Sequence, residues 1–130
     1  MFFDEFYFHR KRGLPLWERI GHPLDTLSVL FCYGFIFYFP YSELNLNIYI
    51  GLAAFSCLLI TKDEFVHTSL CDAKENWLHA VLFILHPITF FCAGLMWKEN
   101  IYPSFITFQP VVIFCFLIYQ IVYWRFYAKS

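Results

Sequence analysis

Charge is what this sequence has least of. Only 15% of its 130 residues are Asp, Glu, Lys or Arg, against about 25% in globular proteins. The 10 acidic residues nearly cancel the 9 basic ones, leaving a formal net charge of −1. That excludes a nucleic-acid binder, which needs a basic face to release counterions. Glycine and proline are sparse, at 5 and 6 residues, so collagenous and low-complexity chains are excluded too. The five cysteines, Cys32, Cys57, Cys71, Cys92 and Cys115, form no CxxC pair. Redox-active dithiols and thiolate zinc sites depend on such pairs. P-loop, GxSxG and HExxH motifs and internal repeats are all missing, which removes the common nucleotide-binding, serine-hydrolase and helical zinc-protease signatures.

Apolar residues fill the space that charge leaves. They make up 60% of the chain, and aromatics alone make up 24%. A core of this size cannot hide so much apolar surface, so lipid must solvate most of it. The charges are also unevenly placed. None occurs in 26–42, 44–61, 76–97 or 100–124, runs of 17, 18, 22 and 25 residues. A helix crosses the hydrocarbon core in about 17–25 residues. The sequence therefore predicts an all-α, polytopic membrane protein: one four-helix transmembrane domain over 1–130, with spans near 23–39, 44–61, 75–97 and 104–124. Continuous rather than alternating apolar runs exclude a β-barrel.

Lysine and arginine orient the spans. Arg10, Lys11, Arg12, Arg19, Lys62, Lys74, Arg125 and Lys129 fall on one side of the membrane and only Lys98 on the other. The positive-inside rule then puts both termini in the cytoplasm, and the expected location is a bacterial inner membrane. Residues 1–22 read as a cytoplasmic, interfacial tail: Phe2, Phe3, Phe6, Tyr7 and Phe8 lie in the interface, with Arg10, Lys11 and Arg12 reaching headgroups. Trp17, Trp77, Trp97 and Trp124 fall near span ends and read as an aromatic belt. Cys32, Cys57, Cys92 and Cys115, one to each span, read as small packing residues.

That orientation gathers polar residues from three segments at the cytoplasmic end. His22 and Asp25 mark the start of span one, Asp63, Glu64 and His67 follow span two, and Asp72, Glu75 and His79 open span three with His86 two turns deeper. Asp63 and Glu64 reach His67 at i,i+4 and i,i+3, and Glu75 reaches His79 at i,i+4, the spacings that share a helix face. His79 and His86 are a heptad apart, as are Asp72 and His79, and so return to nearly the same face. Glu-x-x-His on a helix is the ligand arrangement of carboxylate-bridged di-iron bundles. Mixed imidazole and carboxylate ligation suits iron, manganese or zinc.

A metal-free reading competes. Asp72 and Glu75 form a capping box, and Pro23 at N1 with Asp25 in the first turn suits a helix start. It leaves Asp63 and Glu64 at a helix C-terminus, where acid is disfavoured. It also leaves His86 about 10 Å inside its span, where ionisable residues are rare and functional. Pro87 offers His86 a structural role, because it frees the carbonyl of Phe83. The metal reading assigns His22, His67, His79 and His86 as imidazole ligands and Glu64 and Glu75 as carboxylate ligands, with Asp25, Asp63 and Asp72 as ligands or orienters. Iron, as one or two ions, implies an oxidoreductase of the hydroxylase or oxidase type acting on a lipid or other hydrophobic substrate. Zinc implies hydrolysis of a lipid headgroup or acyl bond. Haem fits less well, because His86 has no histidine partner at its depth. The His boxes HxxxH and HxxHH of membrane desaturases are absent, so any parallel with them is one of chemistry. Three alternatives stay open: a noncatalytic subunit or assembly factor of a larger membrane complex, a homo-oligomer, and a proton- or ion-conducting path.

Overall fold

The computed structural model describes residues 16–63 and 73–127. Four helices account for nearly all of them: α1 Leu16–Tyr38, α2 Glu43–Ile60, α3 Ala73–Lys98 and α4 Pro103–Val122. At 1.5 Å per residue these run from about 27 Å for α2 to about 39 Å for α3, spanning a hydrocarbon core of about 30 Å. All four are long and apolar enough to cross a membrane, and no strand occurs among the described residues. The protein is an all-α four-helix bundle. A 3₁₀ turn, Thr61–Asp63, follows α2, and a π turn, Tyr123–Tyr127, extends α4.

The spans match the charge-free runs except at the first one. Residues 16–22, assigned to the tail from the sequence, are helical, and Pro23 lies inside α1 rather than at N1. Proline removes only the N–H that would reach the Arg19 carbonyl. The helix continues through it because tertiary packing, not local propensity, holds most helices together, and this face is buried at Glu18, Asp25 and Thr26.

Local chemistry sets the turns. Ser42 is in extended conformation and its hydroxyl accepts from the Asn45 amide at 3.2 Å, a side-chain N-cap for α2. Asn45 Nδ2 donates to the Pro40 carbonyl at 2.8 Å, tying the α1–α2 turn to the cap. The end of α3 is a Schellman motif: Ile101 N–H donates to Met96 O at 2.9 Å and Asn100 N–H to Trp97 O at 3.3 Å. Asn100 takes the left-handed conformation with φ 52°, which Asn tolerates better than most residues. Pro103 then opens α4 at its first turn, where its missing N–H costs nothing.

Inside the bundle α1 packs most extensively on α4 and next on α2, while α2 packs on α3. The α2–α3 contact turns on Gly94, where an added Cβ would stand 3.1 Å from Tyr49 Cε1. Small residues let membrane helices approach this closely. Tyr49 uses the space to donate its hydroxyl to the Phe90 carbonyl at 2.8 Å. Trp97 packs edge-on against Phe35 and Tyr41 and donates Nε1–H to the Phe39 carbonyl at 3.0 Å.

Trp97 is therefore a bundle residue, not a belt anchor, and Trp124 is buried as well; Trp17 and Trp77 are exposed. The cysteines divide similarly. Cys32 is fully buried, whereas Cys92 and Cys115 face outward and are not packing residues within this chain. Cys71 and the interfacial aromatics of residues 2–8 lie outside the described residues.

Gly94→Leu should lower the unfolding temperature of the detergent-solubilised protein far more than Tyr49→Phe. The first forces α2 and α3 apart, and the second removes one membrane hydrogen bond worth about 0.6 kcal/mol. Thermal unfolding monitored by circular dichroism checks the order, and equal shifts would show that Gly94 does not set the approach.

Candidate functional site

One face of α1 carries Glu18, His22 and Asp25, and the first turns of α3 carry Glu75 and His79. Steps of four, three and four residues align each set along its helix. Glu18 is 0% exposed, Glu75 3%, His79 5% and Asp25 7%. Ionisable groups this enclosed must be compensated, because unpaired charge is very costly away from water.

Asp25 has that compensation. Lys62, from the 3₁₀ turn after α2, donates Nζ–H to both carboxylate oxygens, at 2.6 and 2.7 Å. Its side chain is 19% exposed, so the ammonium reaches inward from the membrane surface on its apolar stem. The pair ties α1 to the end of α2 and neutralises Asp25 without a metal. This assigns Asp25 an ion-pair role that spacing alone did not reveal.

Deeper in the bundle, His86 Nε2 lies 3.0 Å from Ser56 Oγ. Ser56 in turn lies 2.7 Å from Ser28 Oγ, and Ser28 donates to the Asp25 carbonyl at 2.7 Å. The His86 ring packs edge-on against Phe90, centroids 4.8 Å apart at 81°. His86 thus spends one ring nitrogen on α2, not on the carbonyl that Pro87 leaves free.

His22, Asp25, His79 and His86 line a single cavity of about 360 Å³ between α1 and α3, with Ile60 of α2 also in its wall. Its remaining walls are mostly apolar, with Val29, Leu82, Phe83, Leu85 and Phe90 among them. The volume falls within the range of about 300–1,000 Å³ typical of small-molecule sites.

Of the nine candidate ligands, four surround this cavity. Glu75 is buried one turn before His79 but is not part of the wall, and Asp63 ends the 3₁₀ turn. Glu64, His67 and Asp72 lie outside the described residues. Among the described residues no three His, Cys, Asp or Glu side chains converge closely enough to hold a metal ion. Sequence reasoning missed Glu18, the most enclosed carboxylate among the described residues. Its signal was the i,i+4 step to His22 and the heptad to Asp25, both obscured by ending the tail at residue 22.

Lys62→Met should destabilise the fold by about 3 kcal/mol, since it strands a buried carboxylate. Adding Asp25→Asn in the same chain should restore most of that loss. Reversible unfolding in mixed micelles reads both. A neutral Lys62→Met would show that the pair contributes nothing to the fold.

Comparison of the chain with protein-family models, with curated proteins and with solved structures finds no match. What the site does rests on its own residues.

Proposed function

We propose that this chain is an integral membrane metal-binding protein, with its site where α1 and α3 begin and that end facing the cytoplasm. The observation that carries this reading is that three histidines, His22, His79 and His86, from two different helices, line one cavity. The buried carboxylates Glu18 and Glu75 lie near the same end of the bundle. In sequence, Glu64, His67 and Asp72 fall between the end of α2 and the start of α3. The ligand set would be His22, His67 and His79 with Glu64 and Glu75. His86 would serve as a deeper ligand, and Asp63 and Asp72 as ligands or orienters. Asp25, already paired with Lys62, is the weakest candidate of the nine. The orientation is supported by the eight basic residues that fall at this end against one at the other, as the positive-inside rule requires.

Imidazole and carboxylate donors select iron or zinc over calcium or a thiolate-held metal. Iron would make the chain an oxidoreductase that activates oxygen toward a lipid or another hydrophobic molecule drawn from the bilayer. Zinc would acidify a bound water for hydrolysis. In either case the chain's own contribution is an apolar cavity, which excludes bulk water, and imidazoles held in place by buried helix faces.

Elemental analysis and an optical spectrum of the detergent-purified full chain test this. The expected result is about one or two irons or zincs per chain and no Soret band. His67→Ala and His79→Ala should each cut metal affinity by about tenfold or more. Full retention in both variants, or no metal after reconstitution, would overturn the reading and leave a noncatalytic subunit of a larger membrane complex as the better one.

A further inference from the structure

The hydrogen bonds joining His86 to α1 have only one consistent direction. The Asp25 carbonyl cannot donate, so the Ser28 hydroxyl hydrogen goes to it, at 2.7 Å. A hydroxyl has one hydrogen, so in the 2.7 Å contact between Ser28 and Ser56 the donor is Ser56. Ser56 has then spent its hydrogen as well, and across the 3.0 Å contact with His86 the donor is Nε2–H. A neutral imidazole protonated on Nε2 carries its lone pair on Nδ1. Three helices thus select one tautomer and leave the acceptor nitrogen for the cavity that His86 lines.

The ionisable wall residues His22, Asp25 and His79 come earlier along α1 and α3, and Val29, Leu82, Leu85 and Phe90 make the wall around His86 apolar, so a ligand group that meets His86 Nδ1 must donate. The eleven-residue step from His79 to Phe90 makes the cavity about 16 Å deep, half of a hydrocarbon core of about 30 Å. Leu85 and Thr89 are both wall residues and both exposed on the outer face of α3, so the cavity opens sideways into the membrane. A molecule entering this way is dissolved in one leaflet.

We propose that the cavity binds a single-chain amphiphile through an O–H group that donates to His86 Nδ1, with its apolar remainder against Val29, Leu82, Leu85 and Phe90. Long-chain alcohols, protonated fatty acids and quinols share this chemistry. As an assignment of substrate class the proposal rests on the metal-centred reading above with His22, His67 and His79 as its imidazole ligands, and it gives His86 to the substrate instead of the metal, because one lone pair cannot serve both; binding itself needs no metal.

The test uses the full chain in liposomes and a diazirine-bearing hexadecanol, compared with its methyl ether. The alcohol should label residues of α3 between His79 and Phe90 about fivefold more than the ether, roughly what one hydrogen bond confers. His86→Phe should abolish that preference. Ser56→Ala, which frees the tautomer, should weaken it and should turn a single protonated-Nε2 nitrogen-15 signature of His86 into a mixture. Competition by unlabelled hexadecanol, palmitic acid and a short-chain quinol then identifies which donor binds best. Equal labelling by alcohol and ether in the wild-type protein overturns the proposal without relying on any variant. A protonated Nδ1 in the wild-type protein overturns it as well. Metal content is measured on the same preparation. Hydroxyl-dependent labelling without metal sustains the binding site and removes the metal reading, and metal without such labelling does the reverse.

Discussion

A thin polar layer crosses this bundle and touches all four helices. Thr26 of α1 donates to Gln120 of α4 at 2.7 Å, and Ser28, two residues further along α1, begins the chain through Ser56 of α2 to His86 of α3. Lipid tails are as apolar as leucine, so burial against hydrocarbon gives helices little reason to prefer one register over another. Hydrogen bonds between helices do, because each depends on partners at one height and one rotation. Ser56 is fully enclosed and Gln120 nearly so. With this layer set, α1 becomes the hub, and its face above the layer must turn Glu18, His22 and Asp25 inward.

The same constraint explains the enclosed charges. An apolar outer face costs nothing in lipid, and large hydrophobics such as Phe31, Phe55, Leu58 and Phe91 are exposed around the bundle. Polar residues are what the bilayer expels, so they collect in the interior and at the ends. Asp25 can stay at the end of the bundle because Lys62 reaches it, and Lys62 can reach it because the 3₁₀ turn brings the chain back over α1 before α3 begins. One 3₁₀ turn and one long side chain thus stabilise the Asp25 end of the cavity.

Much of this was legible in the sequence because hydrocarbon thickness leaves few options for a charge-free run. All four spans could be read from their gaps, and the heptad from His79 to His86 correctly placed two imidazoles on one wall. Failures came where a residue's partner is distant in sequence. Lys62 counted only toward topology, since nothing local points to a carboxylate 37 positions earlier. Ser56 and Gln120 carry the interhelical register, yet nothing local in the sequence sets them apart from other uncharged polar residues of the spans. Trp97 sat where a belt residue should and instead fills the α1–α3 seam. Glu18 was lost to a single local inference, that Pro23 must begin a helix, which packing overrode.

His86 joins the register-setting layer to the cavity, and that double position has a consequence for any chemistry there. A histidine that only filled space could rotate or exchange its proton between nitrogens. This one is tied through Ser56 and Ser28 to the backbone of Asp25, whose side chain is held by Lys62 at the membrane surface. Metal-binding histidines ordinarily have their second nitrogen held by an acceptor, which sets the tautomer and orients the ring. The serine chain supplies such an acceptor whether the lone pair of His86 meets a metal or an O–H group. The fold therefore presents a pre-oriented base about 10 Å below His79, built from interactions that also hold the helices in register. A change that loosened the base would have to disturb the bundle as well.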